Sequence, residues 1–238
     1  MGGIFITIEG PDGAGKSTQI ELLKEYLEKK GYDSVVTREP GGTKISEAIR
    51  EIILDPEYTE MSNMTELLLY AAARSQLVNQ IIRPALEEGK AVICDRFVDS
   101  SAVYQGIGRG LGVATVYEVN NYALGEVKPK LTIFMDLDAE AGLKRKKKQA
   151  NLDRMEQEDI EFHKRVVEGY RKLSELYPER IVPIDATLSV DEIHNKIIEE
   201  VEKRFFRSEK RRRDKYGYED QPADTSGSCG DGYTGTKG

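Results

Sequence analysis

The chain has 238 residues, of which 39% are hydrophobic and 32% are charged, a composition typical of globular proteins. Its formal net charge of -7 disfavours a general nucleic-acid binder, because such domains usually carry a basic surplus. The sequence shows neither a signal peptide nor a run of about 18 apolar residues, so we expect a cytoplasmic protein without membrane or nucleic-acid partners.

The first half of the chain alternates short apolar strands with longer amphipathic helices. Hydrophobic spacing predicts a strand at Ile4–Glu9, a helix at Thr18–Lys30, a strand at Ser34–Thr37 and a helix at Ile45–Leu54. A long apolar helix is then predicted to begin at Thr65 and to run through Ile82, with Pro84 kinking or dividing it.

The second half continues the alternation. Strands are predicted at Ala91–Cys94, Leu131–Leu137 and Arg180–Ile184, and helices at Val113–Leu124, Ala139–Lys148, Glu158–Tyr177 and Val190–Phe206. Strands that alternate with helices of these lengths predict a doubly wound α/β fold, with a five-stranded parallel sheet covered by helices on both faces. We expect one domain at residues 1–206.

The last part of the chain differs in composition. A basic cluster at residues 210–213 is followed by a segment rich in Gly, Ser, Thr and Asp, so residues 207–238 are predicted to form a disordered polar tail. An element that docks on a partner or binds an anionic surface is the alternative. Cys94 and Cys229 are far apart, so neither a disulfide framework nor a zinc site is expected. His163 and His194 lie in charged helical stretches and are expected to be solvated.

A glycine-rich turn between the first strand and the first helix carries the strongest functional signal. The pattern G-x-x-x-x-G-K-[ST] is satisfied by Gly10, Pro11, Asp12, Gly13, Ala14, Gly15, Lys16 and Ser17. In such a loop the backbone N–H groups converge on a phosphate, and the helix that follows adds the positive end of its dipole. The lysine can reach the β- and γ-phosphates, and the hydroxyl can bind Mg²⁺. The turn therefore predicts binding of ATP or GTP.

Charged residues also follow two other strands. Asp95 and Arg96 come directly after the third strand, and Arg38 comes after the second. Ligands of open α/β sheets bind beyond the carboxyl ends of the strands. Two arginines there, facing a phosphate loop, are suited to hold a second anionic substrate in line with the γ-phosphate.

These segments together resemble the thymidylate kinases. The resemblance runs from about Ile4 to Val201 and is carried by EGPDGAGKST, TREPGGT, LLLYAAARSQL, DRFVDSSAVYQGIGRG, PKLTIFMDLD and LDRMEQE. It implies a P-loop NTPase fold with a short lid at about 144–155 and a homodimeric state. It also implies that ATP and Mg²⁺ are used to phosphorylate dTMP to dTDP for dTTP synthesis.

The resemblance suggests a role for each residue of the acceptor site. Arg38 and Arg96 would grip the acceptor phosphate, and Asp12 would contact the sugar 3′-hydroxyl. Tyr70 and Arg74, four residues apart on one helix face, would stack on thymine and donate to a base oxygen. Ser101 and Gln105 would complete the recognition of the base, and Tyr104 would crowd the 2′ position. The bond between Glu39 and Pro40 is a candidate cis peptide.

The resemblance also places residues around ATP. Arg145 and Arg154 would lie over the ATP phosphates, where they would stabilise the charge of the transferring group. Thr18 would extend the phosphate site, and the loop of Asp185, Ala186 and Thr187 would cradle adenine. Mg²⁺ would be held by Ser17, Asp12 and Asp95. Some relatives carry arginine in the phosphate loop where this chain has Gly13, so the catalytic cation is expected from the lid, as in the bacterial-type subset.

Two other functions are compatible with the same motifs. One is a related P-loop kinase that acts on another nucleotide, and the other is a nucleotide-binding module without catalysis. Acceptor-dependent turnover separates the kinases from the module. A comparison of dTMP with dUMP and AMP separates the kinases from each other.

Overall fold

The computed structural model describes residues 3–146 and 152–206. Its five strands form one parallel sheet in the order β2-β3-β1-β4-β5. The strands are β1 (Ile4–Glu9), β2 (Ser34–Arg38), β3 (Ala91–Asp95), β4 (Leu131–Asp136) and β5 (Ile181–Asp185). The predicted five-stranded, doubly wound sheet is confirmed, and each predicted strand is displaced by no more than one residue at either end.

Helices cover the sheet on both faces, as the sequence predicts. They are α1 (Lys16–Lys29), α2 (Lys44–Leu54), α3 (Asn63–Leu77), α4 (Arg83–Glu87), α5 (Val98–Ser101), α6 (Val113–Leu124), α7 (Ala139–Lys146), α8 (Ile160–Leu176) and α9 (Val190–Val201). The predicted lid, at about 144–155, is described only in part, and the predicted tail at 207–238 lies outside the described residues.

The alternation of side chains along β1 divides the core into two layers. Ile4, Ile6 and Ile8 pack with α1 and α9 on one face of the sheet. Phe5 points to the opposite face, where it packs with side chains from α3 and α6. Both faces are covered, so the strands are continuous apolar runs, as expected for a parallel sheet.

The long helix predicted from Thr65 to Ile82 differs from the structure in two respects. It begins at Asn63, because the Ser62 side chain accepts a hydrogen bond from the Thr65 backbone and caps the helix. It ends at Leu77, where a π-helical turn, Val78–Ile82, leads into α4 with Pro84 near its start. The predicted long helix is thus interrupted near Pro84, but by a π-helical turn that precedes the proline, and Pro84 itself lies in the first turn of α4.

Two helical segments between β3 and α6 were missed by the sequence analysis. The short α5 leads into a π-helical stretch, Ala102–Gly108, that contains two glycines and therefore gives a weak helical pattern. A third π-helical turn, Glu202–Phe206, ends the segment that the sequence predicts as a single helix to Phe206. Within the described residues, no helix is both long enough and apolar enough to cross a membrane.

Candidate active site

The phosphate loop, defined as residues 10–17, joins β1 to α1 in a conformation that requires its glycines. Gly10, Gly13 and Gly15 all have positive φ angles, of 133°, 77° and 87°. Gly15 takes the left-handed conformation at the start of α1, so the first backbone N–H groups of that helix are turned toward the loop. The predicted anion-binding turn is therefore formed as a strand–loop–helix unit.

Lys16 lies at the centre of the phosphate loop. Its Nζ donates to the carbonyl oxygens of Gly10 at 3.1 Å and Pro11 at 3.0 Å, and it lies 3.7 Å from a carboxylate oxygen of Asp12. Burial, together with the nearby Arg96, lowers the pKa of Lys16 to about 8. A buried cation held by loop carbonyls is positioned to meet a phosphate anion.

The Ser17 depression lies beside the loop and is lined by Ser17, Thr37, Arg38 and Asp95, among others. One carboxylate oxygen of Asp95, Oδ1, is buried without a hydrogen-bond partner. Mg²⁺ is usually held by one or two carboxylates, waters and substrate phosphates rather than by a full protein cage. A serine hydroxyl and an aspartate carboxylate that line one depression fit that mode of binding.

The Arg96 cavity extends from the phosphate loop to α3. It is lined at one end by Asp12, at the other by Tyr70 and Arg74, and along its sides by residues of α5 and the following π-helical stretch. The predicted acceptor residues that line it are Asp12, Tyr70, Arg74, Arg96, Ser101, Tyr104 and Gln105. The structure thus brings seven of the eight predicted acceptor residues into one cavity that reaches the phosphate loop.

Arg96 connects the two ends of the site. It is the one described non-glycine residue with a positive φ, 66°, and its guanidinium donates to Asp12 at 2.7 Å. The guanidinium also lies 5.4 Å from the ring centre of Tyr104. Because left-handed backbone is unfavourable for arginine, the surrounding structure must hold it in place.

Arg38 is the eighth predicted acceptor residue, and it lies outside the Arg96 cavity. Its guanidinium, 48% exposed, donates to both carboxylate oxygens of Glu47 at 3.0 Å and to the Pro40 carbonyl at 3.0 Å. The expected clasp of Arg38 and Arg96 is therefore not formed in this structure, because Glu47 binds Arg38. Arg50, which the sequence analysis did not select, lines the cavity and donates to the Pro40 carbonyl at 2.9 Å.

The buried end of the cavity contains a network around Arg74, whose side chain is only 1% exposed. Its guanidinium donates to Glu39 at 2.6 Å, to Ser101 at 3.1 Å, and to Asn120 and the Phe97 carbonyl. The second oxygen of Glu39 is buried without a partner. Burial raises the pKa of Glu39, and the Arg74 guanidinium opposes that rise. The predicted cis peptide between Glu39 and Pro40 is present.

Glu66 on α3 is almost fully buried and binds three polar side chains near this end of the cavity. Its carboxylate accepts from Gln105 at 2.8 Å and from Arg109, and it forms an ion pair with Arg154 at 2.7 Å. Arg154 also donates to the Ile53 carbonyl at 2.8 Å. These partners of Arg154 lie on α2 and α3, whereas the resemblance implies a position over the ATP phosphates.

Helix α7 contacts the phosphate loop directly. The Arg145 guanidinium donates to the carbonyls of Gly13 at 3.3 Å and Ala186 at 3.4 Å, and so joins the loop to the segment after β5. A Cβ atom added at Gly13 would lie 2.6 Å from the Gly142 carbonyl. The glycine in the loop therefore permits close packing of α7. Of the predicted lid arginines, Arg145 lies against the loop.

We expect Gly142→Ala to reduce the predicted phosphoryl-transfer activity by about tenfold or more while leaving global stability nearly unchanged. The new methyl group would lie 2.5 Å from the Asp12 carbonyl, so α7 must move away from the loop and carry Arg145 with it. Initial rates and melting temperature measure the two effects. Glu140→Ala, an exposed change on the same helix, is the control. Unchanged rates for Gly142→Ala would show that the contact of α7 with the loop is dispensable.

Comparison with known proteins decides the family. The family model described as thymidylate kinase matches residues 8–197. The chain belongs to the thymidylate kinase family. It is 53% identical over 211 residues to a thymidylate kinase of Lactobacillus helveticus, a match that covers 86% of this chain and 98% of the relative. It is 49% identical over 200 residues to one from Geobacillus thermodenitrificans, covering 83% of this chain and 89% of that one.

Structural comparison supports the same family. The crystal structure of a thymidylate kinase from Ehrlichia chaffeensis matches with a TM-score of 0.68 and 33% sequence identity, covering 84% of this chain and 99% of that one. The predicted P-loop NTPase fold is therefore confirmed, and the chain is a nucleotide kinase. The roles of individual residues in this thymidylate kinase remain predictions.

Glu9 is a further buried residue next to the site that the sequence analysis did not select. It is the last residue of β1 and lies on the same face as Phe5, fully buried. Its carboxylate accepts hydrogen bonds from the Phe97 backbone, Ser100 and Tyr170. An acidic residue at the end of an apolar strand, at an inward-facing position of the alternation, is the sequence signal that identifies it.

Proposed function

We propose that this thymidylate kinase transfers the γ-phosphoryl group of ATP to dTMP, giving dTDP for dTTP synthesis, with Mg²⁺ as its metal ion. The observation that carries the proposal is the contact of Arg96 with Asp12, which joins the cavity suited to an acceptor to the loop suited to a triphosphate. In-line transfer needs two nucleotides whose phosphates meet, and this cavity opens at the phosphate loop.

The protein contributes mainly positive charge and positioning. Lys16 would bind the β- and γ-phosphates, Arg96 the acceptor phosphate, and Arg145 would approach the transferring group from α7. Each of these cations is held by neighbouring carbonyl or carboxylate oxygens, so little reorganisation accompanies the reaction. Arg38 would join Arg96 at the acceptor phosphate by exchanging its exposed ion pair with Glu47 for the phosphate, a change that costs little.

The metal ion would be held by Ser17 and Asp95, with Asp12 nearby. When bound, Mg²⁺ neutralises charge on the phosphates. The unpaired, buried Oδ1 of Asp95 supports this assignment, because a buried carboxylate oxygen without a donor is unfavourable unless another group binds it.

Recognition of thymine would fall to the far end of the Arg96 cavity. Tyr70 offers an aromatic face, and Tyr104 lies close enough to Arg96 to border the sugar. Arg74 already donates to four partners, so we propose that it presents a guanidinium of fixed orientation to the base rather than a flexible one. Ser101 and Gln105, both buried, would complete the polar contacts.

An acceptor comparison tests the proposal. Release of ADP is measured with dTMP, dUMP or AMP as acceptor, each with and without Mg²⁺. We expect efficient turnover with dTMP, weaker turnover with dUMP, none with AMP, and loss of all turnover without Mg²⁺. Preference for AMP would favour a related kinase with another acceptor. Binding of ATP without turnover on any nucleotide would favour the non-catalytic module.

We further propose that the protein is a homodimer in the cytoplasm, where its nucleotide substrates are found. Helices α3 and α6 pack against each other and expose large apolar side chains, among them Leu68 and, at 92% exposure, Tyr122. Such side chains are typical of the centre of protein interfaces. The molecular mass in solution, compared between the natural chain and Leu68→Glu, tests this assembly.

A further inference from the structure

Glu9 lies beneath Arg96 in the interior of the protein and is held by three donors. Its Oε1 accepts from the Phe97 backbone N–H at 2.7 Å, and its Oε2 accepts from the hydroxyls of Ser100 at 2.6 Å and Tyr170 at 2.8 Å. All three donors belong to segments that line or support the Arg96 cavity. The carboxylate is fully buried and has no direct access to a ligand.

Two of these hydrogen bonds help to fix the position of Arg96. The Phe97 N–H belongs to the peptide bond that follows Arg96, so Oε1 anchors the chain immediately after the left-handed residue. On the other side, the Arg96 backbone N–H donates to the Ile8 carbonyl at 3.0 Å, from the strand that carries Glu9. Oε2 accepts the hydrogen bond of the Ser100 hydroxyl, so the Ser100 oxygen is free to accept from the Arg96 guanidinium at 3.4 Å.

We infer that Glu9 is a positioning residue that holds Arg96 in its left-handed conformation and aims its guanidinium at the acceptor phosphate. The inference rests on the proposed role of Arg96 and extends it to a residue that touches no substrate. A left-handed arginine persists only where neighbouring groups compensate for its strain. Glu9 Oε1 supplies that compensation on one side of Arg96, because it accepts from the Phe97 N–H. The Ile8 carbonyl supplies it on the other side, because it accepts from the Arg96 N–H.

Two substitutions at Glu9 distinguish the effect of its acceptor oxygen from the effect of its charge. In Glu9→Gln the amide oxygen can still accept from Phe97 N–H, while the amide nitrogen donates to the hydroxyls of Ser100 and Tyr170, which accept in turn. Burial, with Asp99 nearby, raises the pKa of Glu9 to about 7, so the protonated form that glutamine imitates is populated at neutral pH. In Glu9→Leu the Phe97 N–H loses its acceptor altogether.

Steady-state kinetics with ATP and dTMP on the full chain test the inference. We expect Glu9→Leu to raise the KM for dTMP by about tenfold or more and to change the KM for ATP by less than about twofold. Glu9→Gln should restore the KM for dTMP to within about threefold of the natural chain. Equal KM values for dTMP in the leucine variant and the natural chain would overturn the inference, as would a failure of glutamine to rescue a raised KM.

Further variants keep the result interpretable. If Glu9→Leu does not fold, Glu9→Asp is used in its place. The aspartate keeps the charge, but its shorter side chain moves the carboxylate oxygens away from the Phe97 N–H, so this variant should also raise the KM for dTMP. Tyr170→Phe removes a donor to Oε2 and a hydroxyl contact with Ser100, but it keeps the acceptor of the Phe97 N–H, so it should leave that KM nearly unchanged. Arg96→Ala separates this inference from the proposed function. If that variant leaves dTMP use intact, the proposed acceptor site fails. If it impairs dTMP use while both Glu9→Leu and Glu9→Asp do not, only the positioning role fails.

Discussion

Replacement of Lys16 by alanine is expected to lower the rate of dTDP formation on the order of a thousandfold or more. The ammonium group is buried in the phosphate loop, bound to the carbonyls of Gly10 and Pro11, and Lys16 is the only buried lysine in the described part of the chain. Its loss removes the cation nearest the expected β- and γ-phosphates. Initial rates at saturating ATP and dTMP measure the effect.

Lys24→Ala provides the matched control, because Lys24 lies on the same helix and is partly exposed to solvent. It should retain nearly full activity. The pKa of Lys16, lowered by burial to about 8, adds a further expectation. In the free enzyme the ammonium loses its proton as the pH rises through about 8, so kcat/KM for ATP should fall above that pH. Normal turnover by Lys16→Ala would contradict the assignment of the phosphate loop.

Replacement of Arg74 by methionine is expected to destabilise the protein by about 3–5 kcal/mol and to weaken the use of dTMP. Arg74 and Glu39 form an ion pair at 2.6 Å in which both side chains are buried. Methionine fills much of the same volume but leaves Glu39 and Asn120 without their donor. The free energy of unfolding in urea, measured together with the KM for dTMP, separates the structural effect from the functional one.

The destabilisation should depend on pH. Without Arg74, burial raises the pKa of Glu39 further above its ordinary value of 4.5. The folded variant then retains a proton that the unfolded chain has already released, so its stability falls as the pH rises above about 4.5. Adding Glu39→Leu to Arg74→Met should recover part of the loss, because no unpaired charge remains. A stable single variant with normal dTMP kinetics would show that the network is dispensable.

The elements that could be predicted from the sequence are those whose characteristic residues are contiguous in the chain. The phosphate loop could be read from its residues because the glycines, the lysine and the flanking strand and helix are contiguous. The sheet followed from apolar runs of the right length. By contrast, α5 is only four residues long, and the π-helical stretch after it contains two glycines, so neither has a clear hydrophobic period.

The site residues that the sequence could not place are those whose positions depend on distant partners. Arg38 looks equivalent to Arg96 in sequence, since each lies at the end of a parallel strand. Glu47, on the following helix, binds Arg38 and holds it outside the cavity. Arg154 is likewise bound by Glu66, which is distant in sequence. Glu9 was missed because its partners lie at the start of α5, within α5 and on α8, which only the folded chain brings to the end of β1.

Binding of a bisubstrate molecule, in which adenosine and thymidine are joined by five phosphates, tests the shared cleft most directly. The phosphate loop and Arg96 converge on Asp12, so both halves should bind at once. The linked molecule should therefore bind at least about a hundredfold more tightly than dTMP alone. It should also compete with both ATP and dTMP. Competition with only one of the two nucleotides, or affinity no greater than that of the separate halves, would contradict a common cleft.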